Sequence, residues 1–534
     1  MAPSPVTFTV DGVPVEVDDD AITLLEALRD RLGKRSPKDG CSPQGQCGCC
    51  TVWVDGAARV ACVTPVRRVA GRRVTTLEGL EPAVREQWAE AFSRTGASQC
   101  GFCTPGIIMR LAALGERKDT VDETAVRTAL LAHLCRCTGW CSILEAARSV
   151  YAGEAGTTPA RDLAAAARRA ELEGGAAQAV GPEIALGGGG FADDTGPGDA
   201  LVAVSDGNGD WVVAETLHEA RTASRKVQGR NSTVAVGHPL ELPPGPWALE
   251  LRTTFTEPAY LEPDASWCVP GGEPASPLAN GGAFGGKRSS PVAGVARRLA
   301  DEHGRAVRVV MAREDVVRMG PKRPPMAAGI QTDGSGILRV ATTVGSGPLD
   351  DWVRAVASVA PGLVVEEVLV PGPPVGGAIR GAGWAEATVL LAALAARNEG
   401  RTGPGHPVTV RSGEGAEATA VVAEDGNVSV RVTAGEVLDQ VVLRSYVVGA
   451  VHQALGWVRS EGVATAPDGT VLDLTIRSFG ILNAREMPEV EVEVEESSGP
   501  AVPVSDAVFA AVATAAWSAA GFPPDWPTER GGDR

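Results

Sequence analysis

The chain has 534 residues, of which 44% are apolar and 22% charged, so it is long enough for several buried cores and has the composition of a soluble globular protein. Its formal net charge of −17 argues against nucleic acid or an anionic membrane as the main partner, because either would need a basic face. The sequence contains neither a run of about 18 apolar residues nor a basic leader followed by an apolar one, so we expect a cytoplasmic protein that spans no membrane.

The first predicted domain covers residues 1–80. Two alternating runs at 6–10 and 13–17, joined by Asp-Gly, predict a β-hairpin with a type I′ turn. A helix is predicted at about 22–32 and a further strand at 51–54. One helix on a small mixed sheet is typical of a β-grasp domain similar to a plant-type ferredoxin.

The rest of the chain is predicted to form an α+β, multidomain fold. Residues 81–152 are predicted to be helical, residues 153–183 are interpreted as a linker rich in Ala, Gly, Arg and Glu, and residues 184–534 mix strands with helices. The predicted helices are 82–93, 104–115, 122–133, 139–150, 291–303, 384–397 and 506–520. A strand with one solvated face is predicted at 489–495, where Glu and Val alternate strictly.

Cysteine is the informative residue type, since ten of the 11 cysteines lie between Cys41 and Cys141. A secreted disulfide framework normally comes with a short chain and a signal peptide. In a reducing compartment, clustering of this kind favours metal ligation.

The first cysteine set has the spacing of a loop that folds around an iron–sulfur cluster. Cys41 is followed after five residues by Cys47, after two more by Cys50, and eleven residues later by Cys62. A plant-type [2Fe–2S] loop has four residues in the first gap and two in the second. The alternative is a structural zinc site, which such a compact triple fits poorly. We interpret Cys49 as a free, packed thiol.

The second set consists of two cysteine pairs, each just before a predicted helix. Cys100 and Cys103 precede the helix at 104–115, and Cys135 and Cys137 precede the helix at 139–150. We predict that Thr104 and Thr138 cap these helices, which would place the thiolates at the positive ends of two helix dipoles. The two pairs together predict a second [2Fe–2S] cluster.

Three stretches resemble the iron–sulfur portion of the xanthine dehydrogenase and aldehyde oxidoreductase family of molybdenum hydroxylases. They are Cys41-Ser-Pro-Gln-Gly-Gln-Cys-Gly-Cys-Cys-Thr51, Gln99-Cys-Gly-Phe-Cys-Thr-Pro-Gly106 and Leu134-Cys-Arg-Cys-Thr-Gly139. The resemblance implies that the first four cysteines hold a surface-side cluster and the second four hold a cluster nearer molybdenum. It also implies that Gln99 and Cys137 approach the pterin of a molybdenum cofactor, molybdopterin, in this chain or in a partner.

The C-terminal half resembles a shortened molybdopterin-binding subunit of the same family. The glycine loop Gly281-Gly-Ala-Phe-Gly-Gly-Lys287 and the stretch Ile379-Arg-Gly-Ala-Gly383 match its motifs, as does Tyr260-Leu-Glu-Pro263. The matching positions implied in cofactor binding are Gly281, Gly282, Phe284, Gly285 and Arg380. Arg380 could contact a substrate carboxylate or a cofactor phosphate, or form a plain salt bridge.

One departure from the family concerns the catalytic base. The family carries a Gly-x-Gly-Glu segment near its end, whereas this chain has Ser497-Ser-Gly-Pro-Ala-Val-Pro503, which contains no carboxylate. Glu386 and Glu486 are conceivable substitutes, and the catalytic residues stay unknown at this stage.

Three hypotheses follow for function. The preferred one is the iron–sulfur electron-transfer component of a xanthine dehydrogenase-type complex. Its partners would be a flavin-binding subunit plus a molybdopterin-binding subunit, with a small molecule as the substrate of the complex. The second is a self-contained compact hydroxylase of purines or aldehydes, and the third is a non-catalytic assembly scaffold.

Overall fold

Five strands form the first sheet of the computed structural model, which describes residues 4–118, 120–154, 161–224 and 235–530. They pair in the order β2-β1-β5-β3-β4 and are β1 Val6–Val10, β2 Val13–Val17, β3 Thr51–Val54, β4 Ala57–Val60 and β5 Arg73–Thr75. The predicted hairpin is confirmed: β1 runs antiparallel to β2, and Asp11 and Gly12 between them have φ of 49° and 82°, the left-handed values of a type I′ turn. The predicted helix begins at Leu24, as α1 Leu24–Glu26, and continues as one π-helical turn, Ala27–Arg31.

Four helices follow in the region predicted to be helical. They are α2 Pro82–Thr95, α3 Thr104–Gly115, α4 Glu123–Ala129 and α5 Cys141–Tyr151. The third predicted helix ends four residues early, because the chain tightens into the 3₁₀ turn Leu130–Ala132 and becomes extended at His133. This change of direction leads the chain toward Cys135.

The two predicted helix caps are wrong. Helix α3 is preceded by Cys103, so Thr104 is its first residue, and the Thr104 hydroxyl lies 3.1 Å from the Ser98 hydroxyl. Helix α5 starts only at Cys141, because the preceding turn contains Trp140 with φ of 69°. The Thr138 hydroxyl instead lies 3.2 Å from the sulfur of Cys135.

The described part of the C-terminal region contains three four-stranded sheets with orders β7-β6-β10-β9, β13-β12-β11-β8 and β14-β15-β16-β17. Its strands are β6 Leu201–Ser205, β7 Trp211–Ala214, β8 Leu249–Arg252, β9 Ala265–Cys268, β10 Val307–Val310, β11 Met326–Ile330, β12 Gly336–Thr342, β13 Leu363–Leu369, β14 Val408–Arg411, β15 Glu417–Val422, β16 Val428–Thr433 and β17 Val490–Glu495. The helices from residue 161 onward are α6 Leu163–Gly174, α7 Pro182–Ala185, α8 Ala192–Thr195, α9 Leu217–Ala223, α10 Val292–His303, α11 Arg313–Met319, α12 Asp350–Val359, α13 Trp384–Asn398, α14 Gln440–Arg459 and α15 Ser505–Ala519. The predicted helices at 291–303, 384–397 and 506–520 are confirmed to within one residue. In β17 the glutamates are exposed and the valines are partly covered, as their alternation predicts.

The segment 153–183, interpreted as a linker, contains helix α6. This helix packs against α14 through Ala166 and Ala170, and its Arg169 and Glu173 are buried. Residues 155–160 lie outside the described part. The linker interpretation is therefore wrong for 163–174. The alanines of α6 pack against residues nearly 280 positions further along the chain, and composition does not reveal such a contact.

The N-terminal part and the C-terminal region share one hydrophobic core. A continuous cluster of buried side chains extends from Val6 to Trp526, and the Trp140 indole donates to the Leu482 carbonyl at 3.0 Å across the junction. Among the described helices, none is both long enough and apolar enough to cross a bilayer.

Candidate functional site: two cysteine clusters beside a pocket

The first cysteine set lies in the loop before β3 and in the 3₁₀ turn after β4. The thiol of Cys41 contacts those of Cys47 and Cys62, and Cys62 also contacts Cys50. All four side chains are buried. The structure therefore brings together the four predicted ligands of the first cluster.

Backbone N–H groups point at these sulfur atoms. The Sγ of Cys41 accepts from Gln44 N at 3.2 Å and from Gln46 N at 3.5 Å, and the Sγ of Cys50 accepts from Cys62 N at 3.4 Å. Contact with Cys47 and Cys62 holds the pKa of Cys41 well below its ordinary value. The five residues between Cys41 and Cys47 thus place two backbone N–H groups around the Cys41 thiolate. Such donors stabilise the sulfur ligands of a cluster.

Cys49 is completely buried beside this set. Its Sγ lies 3.8 Å from the carbonyl oxygen of Cys47, and burial raises the pKa of its thiol although the neighbouring Cys47 lowers it. Its assignment as a non-ligand remains our prediction.

The second set forms two thiol pairs, each joining one cysteine before α3 to one before α5. The Sγ atoms of Cys100 and Cys137 are 3.8 Å apart, and the thiols of Cys103 and Cys135 are also in contact. Contact with Cys103 lowers the pKa of Cys135 to about 6. Two pairs of thiolates match the two irons of a [2Fe–2S] cluster, each of which takes two protein ligands.

In the second set the thiols touch as two separate pairs, which favours a two-metal cluster over a lone zinc ion. Within the described ranges, no three His, Cys, Asp or Glu side chains are arranged to hold a single metal ion. A structural zinc site would need four ligands around one centre.

The two sets are joined by very close backbone contact. A Cβ on Gly106 would lie 2.3 Å from the Gly48 carbonyl oxygen, and a Cβ on Gly48 would lie 2.4 Å from the His133 ring. His133 Nε2 lies 3.2 Å from both the Thr51 hydroxyl and the Gly106 carbonyl. Glycine at positions 48 and 106 therefore lets the two cysteine sets approach each other.

A pocket opens directly beside the second set. Its volume is about 620 Å³ with its mouth included. Six of the seven predicted cofactor-binding residues line it: Gln99, Cys137, Gly281, Gly282, Phe284 and Arg380. Gly285 lies behind the wall, where a Cβ would come within 1.8 Å of the Ala378 carbonyl oxygen.

The glycine loop is bent so that its backbone faces this pocket. Ala283 and Phe284 have left-handed φ values of 47° and 54°, which are unfavourable for residues with side chains and are concentrated at functional sites. The Arg380 guanidinium lies 5.0 Å from the centre of the Phe284 ring. The loop and Arg380 thus form one wall.

Arg380 is a cation without a carboxylate partner. Its Nη1 donates to Gln453 Oε1 at 3.2 Å, and in the described part of the chain it forms no ion pair. Burial lowers its pKa, although Asp506 acts in the opposite direction. The salt-bridge alternative is not observed, and an anionic ligand group would find a free guanidinium here.

The sequence analysis missed several polar groups at the pocket. Lys287 Nζ lies 2.7 Å from Glu262 Oε2, while Glu262 Oε1 is buried without a hydrogen-bond partner. Arg136, between Cys135 and Cys137 in the sequence, forms a bidentate pair with Glu461. The motif at 260–263 contains Glu262 and could have indicated it, but no local signal pairs Arg136 with a residue 325 positions away.

The two conceivable substitute carboxylates do not reach the pocket. Glu386 is fully buried, bonds Arg323 through both oxygens, and accepts from Gly383 N. Glu486 accepts from Asn483 N on the exterior. Neither lines the pocket, so both suggestions are wrong.

The residues present fit a pterin cofactor. The pocket adjoins cluster thiolates, offers an unpaired guanidinium, and contains the unpartnered oxygen of Glu262. A compact cleft with a few convergent polar groups is the usual form of a cofactor site.

Comparisons with known proteins agree with the cysteine motifs. The family model described as "[2Fe-2S] binding domain" matches residues 76–148. The nicotine 6-hydroxylase small subunit of Paenarthrobacter nicotinovorans is 40% identical over 124 residues, which cover 23% of this chain and 74% of that protein. The xanthine dehydrogenase iron-sulfur-binding subunit of Escherichia coli O157:H7 is 38% identical over 135 residues, covering 25% of this chain and 84% of the relative. This chain belongs to the xanthine dehydrogenase and aldehyde oxidoreductase family of molybdenum hydroxylases. It is accordingly an oxidoreductase-family protein with a [2Fe–2S] binding domain.

Longer relatives match over the same small share of this chain. The aldehyde oxidoreductase of Megalodesulfovibrio gigas is 38% identical over 161 residues, and these cover 29% of this chain but only 18% of that protein. By structure, the aldehyde oxidoreductase from Desulfovibrio gigas superposes with a TM-score of 0.69 at 15% identity, covering 99% of each chain. The two chains therefore share a mixed α/β multidomain fold.

Proposed function

We propose that this chain is an iron–sulfur electron-transfer component of a xanthine dehydrogenase-type hydroxylase. In this proposal electrons from a molybdenum site pass through two [2Fe–2S] clusters to a flavin or another acceptor. The observation that carries it is adjacency: the pocket adjoins the Cys100/Cys103/Cys135/Cys137 set, and close glycine contacts join that set to the Cys41/Cys47/Cys50/Cys62 set.

The protein's own part is to hold, separate and shield the redox groups. The cysteine sets supply thiolates, and the clusters, when bound, supply one-electron oxidation and reduction. Gln99, Cys137, Gly281, Gly282, Phe284 and Arg380 would hold a pterin. Burial of the first set excludes water from its sulfur atoms, and N–H donors stabilise their negative charge.

We further propose the domain organisation 1–80, 81–152 and 184–534, with the first two as the ferredoxin-like and four-helix cluster domains. A flavin-binding subunit is the proposed acceptor partner, and a partner molybdopterin subunit is needed only if this chain's pocket stays without cofactor. The reducing conditions that eight free thiolates require favour the cytoplasm as its compartment.

The second candidate is a compact hydroxylase, because this chain itself lines a pocket that contains predicted cofactor-binding residues beside the second cysteine set. To separate the two, the full chain would be expressed in a host that makes molybdopterin, and molybdenum, iron and turnover with an artificial acceptor would be measured. About four irons per chain without xanthine or aldehyde turnover support the electron-transfer role. Stoichiometric molybdenum with turnover by this chain alone would establish the compact hydroxylase instead.

A further inference from the structure

The stretch after helix α6 forms a wall of the pocket, although composition suggested a linker. A Cβ on Gly282 would lie 2.1 Å from the Gly174 carbonyl oxygen, so the end of α6 presses directly against the glycine loop. Ala179 N donates to Asn280 Oδ1 at 2.7 Å, which fixes the stretch a second time. Between these two attachments lies Gln178, which lines the pocket.

The orientation of the Gln178 amide is fixed by Tyr446. The Tyr446 hydroxyl donates to Gln178 Oε1 at 2.5 Å. Burial raises the pKa of this phenol, so it stays protonated and acts as the donor at neutral pH. The other end of the amide, Nε2, has no hydrogen-bond partner among the described residues and is therefore an available donor at the pocket.

Gln99 presents the complementary group. Its Nε2 donates to the Cys137 carbonyl at 2.9 Å and to the Ser445 carbonyl at 3.1 Å. These bonds leave Oε1 as an acceptor without a partner in the described structure. The pocket thus has one free amide donor and one free amide acceptor beside the thiolates of Cys100 and Cys137.

We propose that Gln178 binds the amide edge of a pterin cofactor, its Nε2 donating to a ring acceptor while Gln99 Oε1 accepts from a ring N–H. The edge of a pterin carries an amino group and a ring N–H as neighbouring donors, flanked by a ring-nitrogen and a carbonyl acceptor, so a donor and an acceptor amide match it. This role rests on the proposed function, because it needs the pterin to lie in this chain. It makes the stretch after α6 part of the cofactor site.

The test measures bound pterin and iron in the full chain produced in a molybdopterin-making host. Gln178→Glu keeps the size and the acceptor for Tyr446 but removes the donor, and Gln178→Leu removes both. We expect each variant to bind pterin about tenfold more weakly than the unmodified chain, since a ligand acceptor loses its partner. Iron content and the reduced-cluster EPR spectra should stay unchanged. The matched control is Gln87→Leu on the exposed side of α2, which should bind pterin normally.

Three results would overturn the inference. Pterin binding in both Gln178 variants equal to that of the unmodified chain would remove Gln178 from the site. Loss of pterin in Gln178→Leu but not in Gln178→Glu would assign Gln178 a structural role through Tyr446. If the unmodified chain itself binds no pterin while carrying its iron, the proposal of an intrachain cofactor fails first, and the role of Gln178 fails with it.

Discussion

Adjacent cysteines 49 and 50 differ in what their sulfur atoms contact. Cys50 Sγ accepts an N–H from Cys62 and touches its thiol, whereas Cys49 Sγ contacts the carbonyl oxygen and the thiol of Cys47. We therefore expect Cys50→Ser to lose one of the two reduced-cluster EPR spectra and about two of four irons. Cys49→Ser should keep both spectra and all iron. Disappearance of a cluster in Cys49→Ser, with Cys50→Ser intact, would reverse the ligand assignment.

A buried histidine makes the fold sensitive to acid. His452 on α14 bonds the Leu482 carbonyl through Nε2 at 3.0 Å, and burial lowers its pKa from 6.5 to about 3. The unfolded chain takes up a proton near pH 6.5 while the folded chain does not, so the free energy of unfolding falls as pH drops below 6.5. This one group should account for about 2 kcal/mol between pH 8 and pH 5.

The check is a comparison with His452→Gln. Denaturant titrations at pH 8 and pH 5 should show a smaller loss of stability in this variant than in the unmodified chain. An equal loss in the two proteins would mean that His452 does not titrate as its burial indicates.

The grouping of the cysteines into two sets could be predicted from the sequence because cysteine spacing is a local property. The same holds for the glycine loop, which can be recognised from its composition alone. Gln178 became visible only in the structure, because its role depends on Tyr446, which tertiary contacts bring close. Glu262 lies in a recognisable motif, but its pairing with Lys287 likewise depends on tertiary contacts. The periodicities of strands (two residues) and helices (3.6 residues) carry no information on such contacts.

At the level of elements, α6 is attached to the last helix through a buried carboxylate. Glu173 accepts from Val504 N at 3.2 Å and Ser505 N at 3.0 Å at the start of α15, and it pairs with the buried Arg169 at 3.2 Å. Burial raises the pKa of Glu173, while Ser505 and Arg169 act against that rise. The carboxylate thus satisfies N–H groups that the helix itself leaves open.

We predict that Glu173→Gln lowers the free energy of unfolding by about 3 kcal/mol, because it leaves the Arg169 charge buried without its partner. Glu171→Gln, on the exposed face of the same helix, should change it by less than about 0.5 kcal/mol. Guanidinium titrations of both variants provide the measurement. If the two curves superimpose, α6 does not depend on this contact.

Most helices and the hairpin were predictable because their apolar periodicity and turn residues are local. The helix caps were not, since a threonine before a helical pattern has several possible partners: Thr138 bonds a cysteine sulfur, and two more residues follow it before α5 begins at Cys141. Helix α6 was not predicted because the surface against which its alanines pack belongs to α14, which is distant in the sequence.

At the level of the whole molecule, the N-terminal part is held to the C-terminal region by buried contacts. Arg313 donates to the Gly40 and Leu261 carbonyls at 2.7 Å, and Gln44 donates to Glu314 at 2.9 Å. These contacts surround the first cysteine loop. The interface is part of one apolar core and needs no covalent link to persist.

A chain cut between residues 154 and 161 should therefore remain associated. We expect fragments 1–154 and 161–534, produced together, to purify as a one-to-one complex with both EPR spectra. Arg313→Ala should weaken that complex, because it leaves the Gly40 carbonyl of the other fragment buried without its donor. Elution of the fragments as separate species at micromolar concentration would contradict the shared core.

Burial of the first cysteine loop also has a consequence for the order of cluster insertion and folding. Cys41, Cys47 and Cys50 are each only 1% exposed, and Arg313 and Gln44 close the loop from outside. An iron–sulfur donor protein could exchange ligands with these thiols only while the loop is open. Biogenesis would then proceed in one direction: clusters are inserted into a nascent or open chain, and closure of the C-terminal region afterwards makes their release slow. A chain that closes without iron would have to open this loop again before its thiols could bind a cluster.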